Sequence, residues 1–277
     1  MTLVALCSLK GAPGVTTAAL GLASGWPKRQ LPVLVECDPA GGDLLARFRL
    51  NMAPGLVTLA AAARRETQRG LLWQHTQRLP GGLNVVAAPA GAEQVCAALG
   101  QITGAGVPVL RGVSERPGTV VVADCGRVGP DSMALDIMRD ADLTLVLVQA
   151  RDDALSHLAV SLDPVARWSR SACFVLVGDG YPTGEVVRTL GIEVLGRLPD
   201  DRIGAAALCG HSRRRTEPAR SPLGRTLARL AAAAASRAGT PAGVAESPAA
   251  ASPPAAAGNP FAAPSSTARN VWERAAR

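Results

Sequence analysis

The sequence is poor in aromatic residues and almost lacks lysine, and both shortages constrain the protein. Aromatic side chains make up 3% of the 277 residues and apolar residues 48%, so the core has to be built from Val, Leu and Ala. Lysine occurs only at Lys10 and Lys28, whereas arginine is abundant. A GC-rich genome that favours arginine, alanine, glycine and proline codons explains most of this bias.

Several functional patterns are missing as well. The six cysteines contain no C-x-x-C pair, which argues against a disulfide framework or a zinc site. His75, His157 and His211 lack the spacing of metal ligands, and no Ser/His/Asp or Cys/His nucleophile arrangement can be argued. No apolar run approaches the roughly 18 residues that span a bilayer, and the apolar start lacks a basic leader and a cleavage site. We therefore expect a cytoplasmic protein.

The chain does contain a regular alternation of short apolar runs and helical stretches. This alternation is typical of βαβ units, and the runs are nearly continuous, which indicates strands covered on both faces. The length favours one sizeable domain plus a tail. We predict an α/β fold with a doubly wound, mainly parallel sheet of about seven strands and helices on both faces. The predicted strands are residues 3–9, 32–37, 83–88, 119–124, 143–149, 173–178 and 193–198.

The composition changes near Ala238 and divides the chain into three predicted segments. Residues 238–268 are mostly Ala, Pro, Gly, Ser and Thr, which cannot form a core, so this linker should be disordered. Residues 269–277 form a short amphipathic peptide around Trp272, which is either a frayed end or a contact for a partner or a membrane surface. The domain of residues 1–237 holds the predicted helices, at 15–25, 55–63, 91–102, 132–140, 152–168, 183–190, 202–209 and 222–236.

The net charge of +7 is concentrated in one region. Residues 200–237 carry eight arginines against three acidic residues, which is five of the seven net charges. Two interpretations stay open: a solvated basic loop, or a surface that binds DNA phosphates without sequence preference. The candidate nucleic-acid residues lie in a predicted loop or one helical turn apart beyond it, and are Arg213, Arg214, Arg215, Arg225 and Arg229.

The strongest motif follows the first predicted strand and precedes a helix. A Gly-containing turn at this point directs successive backbone N–H groups into one concavity, where the helix dipole adds positive potential. Both effects favour phosphate, and Thr16 stands where a P-loop hydroxyl would meet Mg²⁺. The alternative is a Gly-rich turn that binds no ligand. The motif reads Lys10, Gly11, Ala12, Pro13, Gly14, Val15, Thr16, Thr17.

This segment resembles K-G-G-x-G-K-T-T, the deviant Walker A motif of the ParA/MinD family of ATPases. It keeps six of the seven fixed features if Ala12 is accepted for glycine. The resemblance, which covers about residues 1–235, implies that ATP or ADP binds from Lys10 to Thr17 with Mg²⁺ at Thr16. It also implies a homodimer formed on nucleotide binding, in which Lys10 reaches the partner's phosphates as the family's signature lysine.

The motif departs from the family at Val15, which replaces the ordinary P-loop lysine. A charge-assisted phosphate contact contributes about 1.5–3 kcal/mol, so its loss should weaken binding roughly ten- to a hundredfold or more. Hydrolysis should suffer too, because that lysine stabilises charge in the transition state. Pro13 removes one further N–H donor from the loop. We expect a slow ATPase at most.

Two acidic segments match the family at the expected distances. Residues 33–43 resemble its switch I segment, in which Asp38 matches the acid that orients attacking water and Glu36 replaces the first aspartate. Asp124 ends a Walker B-like strand and is placed to hold a Mg²⁺-bound water, before a switch II-like loop that begins at Cys125. Either acid alone could instead cap a turn, but three segments in register strengthen the resemblance.

The base-binding end departs further from the family. The family usually places an asparagine after the sixth strand to read adenine, whereas Gly178 and Asp179 follow that strand here. Pro199 and Asp200 match the family's proline-acid segment after the seventh strand, which also lies near the base. The resemblance therefore does not establish adenine specificity.

Two functions remain open. The first is a nucleotide-dependent switch of the ParA/MinD type that controls association with a protein partner, DNA or a surface, as in partitioning and positioning systems. The second is a pseudo-ATPase scaffold or regulator with the same fold and little or no turnover, which Val15, Pro13 and the absent asparagine favour. A ligase-type member of the wider P-loop group is a third possibility, although no second substrate pocket can be identified.

Overall fold

The seven predicted apolar runs all form strands, and an eighth short strand joins them in one sheet. The computed structural model describes residues 2–11, 13–65, 70–104, 109–112, 118–211 and 217–239. The strands are β1 (Thr2–Ser8), β2 (Leu31–Glu36), β3 (Gln77–Arg78), β4 (Asn84–Val86), β5 (Thr119–Arg127), β6 (Leu143–Gln149), β7 (Ala172–Val177) and β8 (Val194–Leu198).

The strand order is β3-β4-β2-β5-β1-β6-β7-β8, and every neighbouring pair is parallel except β3 with β4. The predicted α/β class with a mainly parallel sheet is confirmed. The additional strand, β3, has only two residues and pairs antiparallel at the edge. Because β5 and β6 flank β1, the segments that follow these three strands lie side by side at one edge of the sheet.

All eight predicted helices are present, six of them with shifted ends. The additional helices α2, α4 and α6 are only four or five residues long, too short to give a periodic pattern. The helices are α1 (Val15–Ser24), α2 (Leu44–Phe48), α3 (Leu56–Ala63), α4 (Leu71–Gln74), α5 (Ala92–Gly104), α6 (Val109–Gly112), α7 (Leu135–Asp140), α8 (Asp152–Trp168), α9 (Thr183–Leu190), α10 (Arg202–Leu208) and α11 (Pro222–Ala238), with a 3₁₀ turn at Pro218–Arg220.

Two apolar layers cover the sheet, one on each face. Alternate residues of β1 enter different layers: Leu3 and Ala5 join the layer of α3, α5, α7 and α8, whereas Val4 and Leu6 join the layer of α1, α10 and α11. All four side chains are at most 1% exposed. A strand buried on both faces needs apolar residues at every position, which explains the continuous runs in the sequence.

Helix α1 packs closely against α11, and two glycines allow this approach. A Cβ added at Gly21 would lie 2.3 Å from Cδ1 of Leu227, and one added at Gly25 would lie 2.9 Å from Cα of Ala228. Side chains at these positions would force the helices apart. The helix that follows the phosphate-loop motif is therefore held directly by the last described helix.

Two predicted regions lie mainly outside the described residues. These are the linker and terminal peptide, from which only Ala238 and Gly239 are described, and the loop that carries Arg213, Arg214 and Arg215. Within the described residues, no helix is both long and apolar enough to cross a membrane.

Candidate functional site

The connection between β1 and α1 turns at two glycines in the left-handed region. Gly11 has φ 71°, and Gly14 has φ 86° and ψ 42°, a conformation that favours glycine. The carbonyl of Gly14 accepts the first helical hydrogen bond of α1 from the N–H of Ala18, at 2.9 Å. In the described part of the chain, the N–H groups of residues 14–17 donate to no other residue, so they are free to bind an anion. Ala12 lies outside the described residues.

The two departures from the Walker A pattern are both buried. Val15 is 6% exposed and belongs to the apolar layer that α1 shares with α11, and Pro13 is buried beside it in the chain. The position of the ordinary P-loop lysine is therefore occupied by a core side chain. The loop keeps its backbone donors but has no cation at this point.

Lys10 lies at the rim of the loop and faces helix α8. Its Nζ is 3.7 Å from Oδ2 of Asp153 in the first turn of that helix, and the two side chains are 38% and 63% exposed. Such an exposed pair contributes little to stability, about 0–1 kcal/mol. The pair shows that the connection after β6 reaches the phosphate loop.

Thr16 and Asp124 are brought together, although 108 positions of sequence numbering separate them. The Thr16 hydroxyl lies close enough to the Asp124 carboxylate to stabilise its charged form, and the N–H of Gly126 donates to Oδ1 of Asp124 at 3.1 Å. Asp124 is 1% exposed, and its burial raises its pKa to about 6 although Thr16 and Gly126 lower it. A buried carboxylate thus stands directly against the start of α1.

Asp38 lies next to this pair, at the end of β2. Its Oδ1 accepts a hydrogen bond from the N–H of Ala40 at 2.9 Å. A Cβ added at Gly126, where φ is 57°, would lie 1.9 Å from Oδ2 of Asp38, so the carboxylate rests on the backbone just after Asp124. Burial raises the pKa of Asp38, and the negative charge of Asp43 raises it further.

Glu36 fixes the segment around Asp38 through hydrogen bonds to its carboxylate. One carboxylate oxygen accepts from the N–H groups of Asp43 and Leu44 at 2.7 and 2.9 Å, and the other accepts from Ala88 at 2.8 Å. Glu36 is 2% exposed, and burial raises its pKa to about 7 against the effect of these hydrogen bonds. The residue predicted as a replacement for the family's first aspartate therefore fixes the backbone from Asp38 to α2.

A cavity of about 250 Å³ opens beside the phosphate loop. Its walls come from the loop and α1, from the ends of β6 and β7, and from the start of α10. Predicted site residues that line it are Pro13, Gly14, Thr17, Pro199 and Asp200. The predicted phosphate and base ends thus share one cavity.

Sequence reasoning missed other residues on this cavity, among them Gln149, Arg151 and Arg202. Gln149 ends β6, and Arg151 follows two residues later. A usable signal existed, because polar residues that follow neighbouring parallel strands gather at the same edge of the sheet. The neighbourhood of β6 and β1, however, became known only from the strand order.

The loop after β7 is held where the family places its asparagine. Arg197 donates to the carbonyl of Gly178 at 2.7 Å and to the carbonyl of Tyr181. The N–H of Tyr181 donates to the carbonyl of Ala150 at 2.9 Å, which joins this loop to the end of β6. Arg197 therefore orders the backbone around the expected adenine-reading position.

Helix α10 closes the far side of the loop. Sγ of Cys209, just beyond its end, lies 3.2 Å from Oγ1 of Thr17. At its start, Asp201 accepts from the N–H groups of Gly204 and Leu223 at 2.8 and 3.1 Å, and these hydrogen bonds lower its pKa. Asp201 therefore has a structural role and, together with its exposed neighbour Asp200, lines the cavity.

Arg225 and Arg229 are both exposed on α11. Together with Arg197 they line a shallow groove of about 400 Å³ that adjoins Asp179 and Pro199. The other three candidate nucleic-acid residues lie outside the described part of the chain. Of the five candidates, the described part of the chain contains two, and both line this groove.

The polar groups at the loop suit Mg²⁺ better than a softer metal. Among the described residues, no group of three or more His, Cys, Asp or Glu side chains is placed to hold a metal ion. Thr16 and Asp124 offer hard oxygen atoms that lie close to each other. Mg²⁺ typically binds proteins through one or two such groups and completes its shell with water and substrate phosphate oxygens, so these residues fit it.

The fold and the site define a class: a doubly wound α/β protein whose first strand leads through a glycine turn into a helix, with carboxylates after two neighbouring strands. This is the architecture of P-loop nucleoside triphosphatases. No protein-family model and no curated protein matches the sequence.

Solved structures narrow the class. A ParA family ATPase from Chlorobium tepidum aligns with a TM-score of 0.68 at 16% identity, over 83% of this chain and 98% of its own. The septum site-determining protein MinD from Pyrococcus horikoshii, complexed with Mg-ADP, gives 0.67 at 15% identity, over 86% and 97%. A McdA–ATP complex from Cyanothece gives 0.63 at 13% identity, over 85% and 96%. The chain therefore has a ParA/MinD-like fold.

Proposed function

We propose that the chain is a nucleotide-dependent switch of the ParA/MinD type, which binds ATP or ADP with Mg²⁺ on the loop from Lys10 to Thr17. The observation that carries this proposal is the position of the Thr16 hydroxyl close to the buried carboxylate of Asp124, whose charged form it stabilises. A turn that binds no ligand gains little from a buried carboxylate beside it, because burial of a charge is costly.

Each part of the loop has a distinct role in this proposal. The free N–H groups of residues 14–17 bind phosphate oxygens at the start of α1. Thr16 and Asp124 hold Mg²⁺, which when bound neutralises charge on the phosphates. Asp38 orients the water that attacks the terminal phosphate, and Lys10 contacts the nucleotide of a second copy in a homodimer. Solved proteins of this fold with Mg-ADP or ATP support the choice of ligand.

One set of observations favours the alternative, a pseudo-ATPase scaffold or regulator. Val15 and Pro13 are buried, and Lys10 is paired with Asp153 rather than free. A loop in this state binds phosphate through backbone donors alone, so nucleotide binding would be weak and turnover slow or absent.

Calorimetric titration of Mg-ATP into the wild type, Lys10→Ala and Val15→Lys separates the two functions. A switch should bind Mg-ATP measurably, less tightly in Lys10→Ala, and roughly ten- to a hundredfold more tightly in Val15→Lys, because a new cation meets the phosphates. Lys28→Ala is the matched control, since this exposed lysine lies after α1 and away from the loop. Heats equal to those of buffer in the wild type would support the scaffold instead.

The proposed output of the switch is reversible association with an unknown protein partner, DNA or a surface. For DNA, the exposed Arg225 and Arg229 on one face of α11 support a contact with phosphates that is independent of sequence.

A mobility-shift assay over a salt series tests the DNA contact. Binding should weaken steeply as salt rises, and Arg225→Ala with Arg229→Ala should reduce the logarithmic salt slope by about one per lost phosphate contact. The same double change at Arg167 and Arg188 is the charge-matched control. Absence of binding even at low salt would remove DNA from the proposal.

A further inference from the structure

We propose that Arg151 supplies the cationic phosphate contact that Val15 cannot make. This inference rests on the proposed nucleotide function and deepens it, because it names the side chain that replaces the missing P-loop lysine. Arg151 follows β6 and precedes α8, far from the motif in sequence.

The sheet order brings Arg151 next to the phosphate loop. Strand β6 is the direct neighbour of β1, and adjacent strands lie about 4.8 Å apart, so the segments that follow them start side by side. The contact between Lys10 and Asp153 joins these two segments directly. Arg151 lines the cavity that Pro13, Gly14 and Thr17 also line.

The side chain of Arg151 is available for a ligand. It is exposed, and its guanidinium makes no ion pair or hydrogen bond with another residue in the described part of the chain. Its backbone, in contrast, is fixed: the carbonyl of Arg151 accepts from Leu155 at 2.9 Å, and the N–H of Ala150 donates to Val177 at 3.3 Å. A ligand therefore has to order only one side chain.

Five acidic residues lie near Arg151 in the chain or on its two cavities, and none forms an ion pair with it in the described part of the chain. Asp152 interacts with Tyr181, and Asp153 pairs with Lys10. Asp200 and Asp201 line one cavity, where Asp201 accepts two backbone hydrogen bonds, and Glu185 lines the other. A guanidinium binds phosphate through two parallel hydrogen bonds, so a bound nucleotide offers Arg151 a stronger partner than these separate carboxylates do.

Other cations are less well placed. Arg202 lines the same cavity but follows β8, which lies three strands from β1, and it adjoins the base end at Asp200. Arg47 lies behind Thr17, where it pairs with Asp43 at 2.5 Å. Arg151 is therefore the cavity-lining cation whose strand adjoins the phosphate loop.

Calorimetric titration of Mg-ATP and of inorganic tripolyphosphate tests this assignment. Arg151→Gln should weaken the binding of both ligands roughly ten- to a hundredfold, because a charge-assisted contact is lost, while Arg151→Lys should retain part of the affinity. Arg167→Gln, which removes an exposed arginine from the last turn of α8, should change neither affinity. Equal thermal unfolding midpoints for the variants verify that they fold.

The remaining outcomes separate this inference from the proposed function. If Arg151→Gln binds both ligands with the affinity of the wild type, only the role of Arg151 is overturned. A loss confined to ATP assigns Arg151 to the base or ribose and overturns the phosphate contact. If the wild type does not bind Mg-ATP and Val15→Lys does, both proposals are overturned. In the double variant Arg151→Gln/Val15→Lys, a return to at least wild-type affinity is expected.

Discussion

The two sides of the phosphate loop are built in different ways. On the side of β2 and β5, the carboxylates of Glu36, Asp38 and Asp124 are partly or wholly buried and are held by backbone N–H groups. On the side of β6 and α8, the charged side chains Lys10 and Arg151 lie in contact with solvent. The groups proposed for metal and water are thus preorganised, whereas those proposed for phosphate charge have to be ordered by the ligand.

This difference in burial affects both the pKa values of the carboxylates and the tolerance of each side to substitution. Burial raises the pKa of Asp124 to about 6 and that of Glu36 to about 7, and neighbouring negative charges add to both effects. A bound cation would therefore stabilise the charged carboxylates on the first side, while the opposite side carries exposed side chains that can be exchanged without disturbing the core. Substitutions on the two sides should consequently have different effects.

The largest effect is expected from Asp124→Asn, which removes the buried charge without changing the shape of the side chain. ATP affinity with Mg²⁺ should fall roughly ten- to a hundredfold, while affinity measured in a chelator should change little, because only the metal contact is lost. Titrations with and without Mg²⁺ measure both values. Asp136→Asn on the exposed surface of α7 is the control, and a variant that kept its full Mg²⁺ dependence would contradict this side's proposed role.

An intermediate effect is expected from Glu36→Gln, on the pH dependence of the free energy of unfolding. Burial raises the pKa of Glu36 from 4.5 to about 7, so the folded chain binds this proton more tightly than the unfolded chain. The free energy of unfolding should therefore decrease as pH rises from about 4.5 to about 7, by at most about 1.4 kcal/mol per pH unit from this group. The variant should lose that part of the decrease.

Denaturant unfolding at several pH values between 4 and 8 checks this expectation. The slope in Glu36→Gln should be shallower than in the wild type but not zero, because the raised pKa of Asp124 acts in the same direction. Glu185→Gln, at a half-buried glutamate of α9, is the matched control. Equal slopes in wild type and Glu36→Gln would show that Glu36 titrates near its ordinary value.

The smallest effect is expected from Asp153→Asn, which releases Lys10 from its ion pair. Because exposed pairs contribute about 0–1 kcal/mol, ATP affinity should tighten by no more than about fivefold, and thermal stability should hardly change. Titration calorimetry compares the variant with Asp163→Asn, a substitution at an exposed position of the same helix. Weaker binding in Asp153→Asn would mean that the pair holds Lys10 in its productive position.

Much of the sheet could be predicted because a strand buried on both faces requires a continuous apolar run. Strand β3 could not be predicted, since Gln77 and Arg78 are polar and become a strand only by pairing with β4. The same limit applies to α2, α4 and α6, whose four or five residues show no helical period. Local patterns therefore identify elements that are long and buried.

The same distinction between local patterns and long-range contacts applies to the candidate site. The loop, Asp38 and Asp124 were identified because each lies in a contiguous motif. The clamp made by Glu36 was not, because its three N–H donors come from residues 7, 8 and 52 positions further along the chain. The pairing of Lys10 with Asp153 and the position of Arg151 depend on strand order, which no local pattern specifies.

The close contact of α1 with α11 has a mechanical consequence. Gly21 and Gly25 leave no space between the two helices, so a tilt of α1 is transmitted to α11 with little loss. Arg225 and Arg229 are carried on that second helix. If a ligand reorients the start of α1, α11 and its two arginines would therefore move with it as a rigid body.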